Sequence, residues 1–509
     1  MGHSPRAGHR RAQAVIVAVS VVATAGCVST HAGSRCATTA FAHDRTHVLR
    51  CVHGRWTRFV TTGEAARWFA AKWNGTPSTT GPTTTTVPTS TTVVSAPIAP
   101  STSLVSVTPA GAPGNGLSVA GGVTPDGRLV AFSSLATDLV AGDTNGRIDA
   151  FVRDRVAGVT SRVSVATDGG NANGDTATGG ISDDGRYVVL QSDSSNLVPG
   201  DTNGHADVFV RDLLANTTTL VSTAAGGGAS DGSSIDARIS ADGHFVVFQS
   251  DATDLVPDDT NSAPDIFVRD LEAGSTTRVS VAVDGSQLPT GGEDSKAISA
   301  DGRYVVFATP DSGGPNRVLL RDLQTATTTE VGLADDGSAP NGDVGIDPNS
   351  EGVGLSGDGR RVVFAADATN LVPDDTDGAT DVFVRDVPEA RTLRVSVRSD
   401  GSQGSTSRRD VGSAPVITGD GRTVAFAGHG TDLVAGAAGP SDIYVHDLTT
   451  VSTRVVSIST GGTRANSESG MPVISRDARF VAFVSMATNL VPAALNGTDA
   501  QVFLRDRGV

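Results

Sequence analysis

A repeated block of residues between positions 102 and 509 constrains the fold of this chain more than any other feature of its sequence. Each copy opens with a turn of the type S-x-D-G-R, followed by an apolar run such as YVVF. Seven copies are present, 57 to 62 residues apart, and their turn aspartates are Asp126, Asp184, Asp242, Asp301, Asp358, Asp420 and Asp477. A regular repeat of this length predicts supersecondary units that bury their apolar faces against one another.

The motifs within one copy predict four short antiparallel strands. A small-residue strand ends at I-S, the D-G pair makes a tight turn, and YVVF returns as a buried strand. A loop then leads to a third strand of the type DVFVRD, and TRVSV forms a fourth. Seven such sheets packed face to face around an axis form a propeller. The sequence therefore predicts an all-β fold, a seven-bladed β-propeller.

The last copy lacks its fourth strand. It stops at FLRDRGV, whereas TSLVSV at residues 102–107 matches the fourth-strand motif. We expect this N-terminal strand to complete the last blade and close the ring, which removes an edge prone to aggregation.

The S-x-D-G-R-x-V-x-F openings and D-x-F-V-R-D strands resemble the repeats of TolB-like propellers, which are distant relatives of WD-type propellers. The resemblance covers residues 102–509 and implies the propeller fold. The periplasmic member of that family partners a peptidoglycan-associated lipoprotein and carries an α/β domain before its propeller, a position held here by a Trp-rich module and a linker. Other relatives place a serine-peptidase domain after the propeller.

The first 27 residues predict an export signal. A basic segment, MGHSPRAGHRR, precedes the apolar AQAVIVAVSVVATAG, which is too short to span a membrane comfortably. The segment TAGC ends at Cys27 and resembles a bacterial lipobox, which implies lipidation of that cysteine and membrane attachment through the lipid. An ordinary secretory signal cleaved near Ala25 is the alternative, and either one predicts an exported protein.

Residues 36–75 predict a small module that holds all three tryptophans. A hairpin at THVLRCVHGRWTRF and a short amphipathic helix at TGEAARWFAAKW are expected. Cys36 and Cys51 form a disulfide in the simplest interpretation for an exported protein. A metal site that combines these thiols with His43, His47 and His53 is the competing one. The module resembles small Cys/Trp modules of exported actinobacterial proteins.

Residues 76–101 are rich in Thr, Pro and Ser and predict a disordered, extended linker. The net charge of −16 divides unevenly around this linker. Residues 1–75 carry ten Lys/Arg and two acidic residues, so the remainder carries a net −24. Such an acidic domain is a poor nucleic-acid binder and a reasonable binder of cations.

Acidic loops between the second and third strands of four copies are the main candidate sites. Oxygen ligands at positions 1, 3 and 7, with a bend at position 4, follow the logic of Ca²⁺ loops. The candidate ligands are Asp143, Asn145 and Asp149; Asp201, Asn203 and Asp207; Asp259, Asn261 and Asp265; and Asp375, Asp377 and Asp381. Metal-free turns are the alternative, because Asp and Asn favour turns by bonding nearby backbone N–H groups. Any bound Ca²⁺ is expected to be structural.

No catalytic motif is identified in the repeats. His244 and His446 occupy positions that are Arg in most other copies and are expected to be surface substitutions, His205 fills a loop, and His429 lies beside a shortened loop. Non-repeated charged residues at the channel are expected to be solvated loop residues: Glu293, Lys296, Glu351, Arg408, Arg409 and Glu468.

The sequence predicts a monomeric, exported scaffold that binds a protein or glycan ligand on a propeller face. An extracellular polysaccharide lyase or hydrolase with a site at the channel mouth is the alternative. A purely structural surface protein is the third hypothesis.

Overall fold

The computed structural model describes residues 41–43, 47–52, 55–61, 99–292, 296–310, 315–347, 350–376, 378–404, 411–428, 432–435, 441–493, 495 and 497–508. Several sequence predictions lie outside these residues: the signal segment with Cys27, Cys36, the helix after residue 61, most of the linker, Asp377 and His429. Within the described part of the chain, strands and turns account for the regular structure, and no helix is long and apolar enough to cross a bilayer.

A small antiparallel sheet precedes the linker. It consists of β1 (Phe41–His43), β2 (His47–Val52) and β3 (Arg55–Thr61), in the order β1-β2-β3. The pairing of β2 with β3 begins at Val52 and Arg55, so the hairpin expected at these residues is present.

Residues 101–508 form seven four-stranded antiparallel sheets. Blade 1 is β5 (Ser118–Val123), β6 (Leu129–Ser134), β7 (Asp149–Asp154) and β8 (Val159–Arg162). Blade 2 is β9 (Thr176–Ile181), β10 (Tyr187–Ser192), β11 (Asp207–Asp212) and β12 (Thr217–Leu220). Blade 3 is β13 (Ser234–Ile239), β14 (Phe245–Ser250), β15 (Asp265–Asp270) and β16 (Ser275–Arg278).

The second half of the ring continues the same pattern. Blade 4 is β17 (Lys296–Ile298), β18 (Tyr304–Thr309), β19 (Arg317–Asp322) and β20 (Thr327–Glu330), followed by a two-stranded hairpin of β21 (Ile346–Asp347) and β22 (Ser350–Glu351). Blade 5 is β23 (Val353–Leu355), β24 (Arg361–Ala366), β25 (Asp381–Asp386) and β26 (Arg391–Arg394). Blade 6 is β27 (Val411–Ile417), β28 (Thr423–Gly428), β29 (Asp442–Asp447) and β30 (Ser452–Val455).

Blade 7 confirms the predicted closure. Its first three strands are β31 (Ser469–Ile474), β32 (Phe480–Ser485) and β33 (Gln501–Asp506). Its fourth strand is β4 (Ser101–Leu104), a segment that precedes the first repeat in the sequence. The pairing runs from Phe503 with Leu104 to Asp506 with Ser101. The first strands of successive blades contact one another, and β31 contacts β5, so the ring is closed. The chain is a seven-bladed β-propeller, as the sequence predicts.

Stacked aromatic rings of the second and third strands occupy the core of most blades. The ring centroids of Phe132 and Phe151 in blade 1 are 5.5 Å apart, and those of Phe483 and Phe503 in blade 7 are 5.8 Å apart. All four rings are fully buried. The few aromatic residues of this chain are therefore concentrated where the blades pack.

The D-G turns pack one blade onto the next. In blades 1 to 6 the turn glycine has a positive φ; blade 7 has Ala478 instead. Each glycine lies against a side chain of the preceding blade's turn, two residues after that turn's own glycine or, in blade 7, after Ala478. A Cβ on Gly302 would meet the Phe245 ring at 2.1 Å, and one on Gly127 would meet the Phe480 ring of blade 7 at 2.5 Å. The glycines therefore satisfy both a left-handed backbone and a close contact between blades.

Candidate functional site

The alternating strand directions give the propeller two different faces. The D-G turns and the turns between third and fourth strands lie at one end of every blade, which we call the turn face. The loops between second and third strands, such as 135–148, and the connections between blades, such as 163–175, lie at the other end, which we call the loop face. The acidic loops and their candidate metal ligands all belong to the loop face.

The central channel is constricted at the turn face. Each S-x-D-G turn places its x residue at the mouth, and four of these residues are Ala241, Ala300, Gly357 and Gly419. The N–H of Ala300 donates to the Gly357 carbonyl at 3.0 Å, and the N–H of Gly357 donates to the Gly419 carbonyl at 3.0 Å. A Cβ on Gly357 would lie 3.3 Å from that of Ala300. Backbone contacts between the turns therefore narrow this mouth.

An ion pair spans the same mouth. The x residues of blades 2 and 7 are Asp183 and Arg476, and Nη1 of Arg476 lies 3.7 Å from Oδ2 of Asp183. Blade 1 lies between these two blades in the ring, so the pair reaches across part of the opening.

The acidic loop of blade 1 brings its three predicted ligands together. Asn145 Nδ2 donates to Asp149 Oδ2 at 2.8 Å, and Asn145 Oδ1 accepts the N–H of Arg147 at 3.0 Å. Ser164 Oγ donates to Asp149 Oδ1. Asp143 and Asp149 are both buried, and burial is the main cause of a raised pKa in each carboxyl.

The loops of blades 2 and 3 repeat this arrangement. Asn203 donates to Asp207 at 2.7 Å, and Asn261 donates to Asp265 at 3.2 Å. In blade 5, Ser396 donates to Asp381. Each asparagine directs its amide N–H group, and not its oxygen, toward the carboxylate. In this geometry each asparagine acts as a turn residue. The loops form well-ordered turns, and their binding of Ca²⁺ stays a prediction.

Arginines from the fourth strand lie beside three of the four carboxylate pairs. In blade 5, Arg394 Nη1 lies 3.4 Å from both Asp375 Oδ1 and Asp381 Oδ2. In blade 1, Arg162 Nη1 is 3.9 Å from Asp143 and 4.0 Å from Asp149. In blade 3, Arg278 Nη1 is 3.8 Å from Asp259 Oδ1. The guanidinium groups therefore supply the positive charge that a metal ion would otherwise bring.

Blade 4 has the same pair with its charges exchanged. Its third strand begins with Arg317 where five other blades have Asp and blade 7 has Gln501. Its fourth strand ends with Glu330 where blade 1 has Arg162. Arg317 forms a two-point ion pair with Glu330. The exchange shows that either strand can supply the positive member of this ion pair.

Blades 6 and 7 neutralise this position in two further ways. In blade 6 the last residue of the fourth strand is Val455, which carries no charge. Arg464, from the connection to the next blade, lies 3.0 Å from Asp442 Oδ2. In blade 7 the acidic residue is replaced by Gln501, which accepts a hydrogen bond from Ser106 Oγ at 2.7 Å. Blades 4 and 6 thus pair one carboxylate with one arginine here, blade 7 has an uncharged glutamine, and blades 1, 3 and 5 have one arginine beside two carboxylates.

Blade 2 is the exception among the described blades. Leu220 occupies the position of Arg162. Ala229 occupies the position of Gln287 of blade 3, whose side-chain amide donates to both Asp259 and Asp265. Asp201 is 5% exposed and Asp207 is fully buried. Burial and the nearby charge of Asp207 raise the pKa of Asp201 to about 6. Two buried carboxylates therefore lie together without an arginine or lysine partner.

These arginines are not evident from the repeat motifs, although a signal is present. The last residue of the fourth strand is Arg162, Leu220, Arg278, Glu330, Arg394, Val455 or Leu104. In blades 4 and 7 it changes together with the first residue of the third strand, and in blades 2 and 6 it changes alone. The partners are paired across strands, so the correlation is visible only when the strand register is known.

The structure corrects the prediction that His446 is a surface substitution. The side chain is buried, and its Nδ1 lies 2.9 Å from Thr453 Oγ1. In blades 1 and 5 the arginines at the same position, Arg153 and Arg385, donate to the equivalent threonines. Burial lowers the pKa of His446 to about 4. His244 is exposed, as expected.

His446 should make the stability of the protein depend on pH. Its pKa in the folded state is below the ordinary value of 6.5, so the unfolded chain takes up a proton first, and stability falls as the pH drops from about 6.5 to 4. The loss should approach about 2–3 kcal/mol at pH 4. Melting curves of the wild type and His446→Gln should converge as the pH falls, with His244→Gln as the control for loss of an imidazole. Parallel curves for wild type and H446Q would contradict the assignment.

One of the charged residues that the sequence predicts to be solvated is buried instead. Lys296 is fully buried in β17, because the first strand of blade 4 packs against those of its neighbours. Glu468 is exposed, as expected, and Glu351 lies in β22. Glu293, Arg408 and Arg409 lie outside the described residues.

Comparisons with known proteins give structural likenesses only. No family model matches the chain, and no curated protein matches its sequence. TolB from Acinetobacter baumannii has 12% identity and a TM-score of 0.35 over 70% of this chain and 75% of its own. A TolB from Agrobacterium tumefaciens has 14% identity and a TM-score of 0.35, covering 68% and 93%. Acylaminoacyl peptidase from Pyrococcus horikoshii has 10% identity and a TM-score of 0.44, covering 77% and 51%. The propeller assignment itself rests on the strand order and ring contacts of this chain.

Proposed function

We propose that this protein is an exported, non-catalytic binding scaffold of the cell envelope, which takes a protein or glycan ligand on its loop face. One observation carries the choice of face: backbone contacts between the turns narrow the channel mouth at the turn face. Loops from all seven blades converge on the loop face, as is usual for ligand-binding faces built on a rigid fold.

The charges of the described residues favour the same face. On the turn face, arginines and aspartates recur as ion pairs, such as Arg186 with Asp212 at 2.6 Å and Arg479 with Asp506 at 2.9 Å. Both faces carry exposed acidic residues, and the turn face also carries exposed arginines such as Arg128, Arg360 and Arg422. On the described part of the loop face, Arg147 is the exposed arginine. The exposed acidic residues there include Asp168, Asp193, Asp251, Asp258, Asp284, Asp336, Asp367, Asp374 and Asp400. An uncompensated charge is available for recognition, whereas a paired one serves the fold.

Export is part of the proposal and is supported by the sequence alone. A basic segment and a short apolar segment precede Cys27, the residue proposed to carry a lipid, and Cys36 and Cys51 are proposed to form a disulfide. The linker at residues 76–101 would hold the propeller away from the surface to which the N-terminus is attached.

The test is co-sedimentation of the full chain with purified bacterial cell walls, together with an assay for soluble sugar fragments. We expect the protein to be retained on the walls without release of fragments. Asp258→Arg with Asp374→Arg on the loop face should reduce retention by about tenfold, which corresponds to about 1.4 kcal/mol. Glu272→Arg with Glu389→Arg, at exposed positions of the turn face, is the matched control and should leave retention unchanged.

The other outcomes separate the hypotheses. Release of fragments with turnover would support the extracellular enzyme. Loss of retention in the turn-face variant alone would place the ligand on the opposite face. Absence of retention would contradict a cell-wall ligand and leave the propeller without the proposed role at the envelope.

A further inference from the structure

We propose that a pocket along the outer edge of blade 5 binds a neutral sugar unit of a glycan. The proposal rests on the proposed function, because it names the class of ligand that the scaffold would take. The residues that would recognise the sugar are Asp335, Asp374 and Arg391, which line the pocket.

The pocket has a volume of about 650 Å³, within the range of about 300–1,000 Å³ that is usual for small-ligand sites. The loop at Val372–Asp374, the strand β26 and residues 401–403 line it, and Asp335 comes from the connection that precedes blade 5. The N–H of Thr392 donates to Asp335 Oδ1 at 3.0 Å, and Arg394 Nη2 donates to the Asp374 carbonyl at 2.9 Å. These bonds hold the walls in place, so little ordering is needed when a ligand binds.

Three lining residues of the pocket depart from the repeat. Arg391 is the first residue of its fourth strand and Leu393 the third; the other blades have Ser, Thr or Val first and Ser, Thr or Arg third. Asp335 lies two residues after Leu333, whose carbonyl accepts Thr392 Oγ1. The equivalent residues of blades 1, 4, 6 and 7 are Pro109, Val283, Ser399 and Thr460. Other blades form the same sheet without these residues, so the fold does not require them.

The polar groups that line the pocket retain hydrogen-bonding capacity. Arg391 is exposed, and its guanidinium forms no hydrogen bond or ion pair with any described residue. Asp374 is exposed, and its carboxylate accepts no hydrogen bond from the described part of the chain. Asp335 uses Oδ1 for the N–H of Thr392, which leaves Oδ2 for a ligand. One cationic donor and two carboxylate acceptors are therefore available in one pocket.

This mixture of charges favours a ligand that is neutral and rich in hydroxyl groups. Asp335 and Asp374 would repel an anion, and Arg391 would repel a cation. A hydroxyl group both donates and accepts hydrogen bonds, so the hydroxyls of a sugar can use the carboxylates and the guanidinium together. The lining also offers apolar surface to the C–H groups of a sugar ring, from Val372, Pro373 and Leu393.

An extended peptide fits this pocket less well. A peptide that added a strand to β26 would need the outward N–H of Thr392, which already donates to Asp335. The hydroxyl of Thr392 also donates to the Leu333 carbonyl, so the preceding connection covers this edge. The edge of β26 is therefore closed to strand addition.

The experiment probes immobilised oligosaccharides and peptides with the labelled full chain. The oligosaccharides are neutral, uronic-acid or amino-sugar chains, and calorimetric titration with the neutral chain that binds best gives the dissociation constant. We expect binding to neutral chains only. Arg391→Ser and Asp335→Ser introduce the serine that blade 6 has at each position, so both variants should fold. Each should weaken binding about tenfold, because it removes a charged hydrogen-bonding group.

Arg422→Ser is the matched control, because it removes an exposed arginine of the turn face. It should leave the dissociation constant unchanged. Melting curves that match the wild type show that a loss of binding is not a loss of folding, and either pocket variant carries the test if the other does not fold.

Failure of this proposal differs from failure of the proposed function. Retention on cell walls without binding of any neutral oligosaccharide would overturn the pocket and leave the scaffold function in place. Equal affinity of the wild type, R391S and D335S, or a preference for charged oligosaccharides or peptides, would also overturn the pocket. Neutral-sugar binding that both variants weaken, without retention on walls, would support the pocket and contradict a cell-wall ligand.

Discussion

Replacement of Gly302 by alanine should lower the free energy of unfolding by about 2–5 kcal/mol. Gly302 has φ +71°, where a Cβ costs about 1–2 kcal/mol, and the added methyl would overlap the Phe245 ring of the preceding blade. Such overpacking costs a further 1–3 kcal/mol or so, because the buried edge of the ring has little freedom to move. Thermal and urea unfolding of the full chain would measure the loss.

Gly421→Ala is the matched control. Gly421 has a similar φ of +70°, but its neighbour is the unbranched stem of Arg361 and not a ring, and the Cδ of Arg361 lies 3.1 Å from the position of the added Cβ. We expect only the backbone cost there, about 1–2 kcal/mol. The chain already carries Ala478 at the equivalent turn of blade 7, with φ +63°, beside the small Thr423 of blade 6. Equal losses for G302A and G421A would refute the role of the ring contact.

Replacement of Arg394 by leucine should destabilise blade 5 by about 3–5 kcal/mol, because it leaves two buried carboxylates without their cation. The side chain of Arg394 is 6% exposed, and those of Asp375 and Asp381 are almost fully buried. The substitution makes blade 5 resemble blade 2, where leucine is the natural residue. Unfolding in EDTA is the appropriate measurement, since a cation could otherwise replace the guanidinium.

A double variant that keeps the wild-type net charge separates lost charge from lost packing. Arg394→Leu combined with Asp381→Gln copies the Gln501 and Leu104 arrangement of blade 7 and should recover most of the stability lost in the single variant. Failure of the second substitution to recover stability would show that the arginine acts through packing and not through its charge.

Much of the architecture could be predicted from the sequence because its signals are local. The D-G turns, the alternation of DVFVRD and the unmatched TSLVSV strand each lie within a few residues, and their sevenfold recurrence fixes the blade number. The closure by β4 was predictable for the same reason: a propeller with an unpaired edge leaves one place for a strand of matching pattern.

The candidate site was only half predictable. The sequence identified Asp143, Asn145 and Asp149 and their equivalents as residues that act together, and the structure brings those of the first three blades together. It did not identify Arg162 as their neighbour, because the pairing depends on the register between the third and fourth strands. For the same reason His446 was mistaken for a surface residue: its burial follows from the packing of its strand and not from residue type.

The number of blades, the closing strand and the positions of the acidic loops follow from the sequence, since repeated local patterns specify turns and strands independently of their surroundings. Tertiary structure alone decided which carboxylates are neutralised, which channel mouth is narrowed and which histidine is buried. These properties depend on groups that are brought together across strands and between blades. Burial there makes an unbalanced charge costly, so a single leucine in place of arginine, as in blade 2, changes the electrostatics of the carboxylate pair.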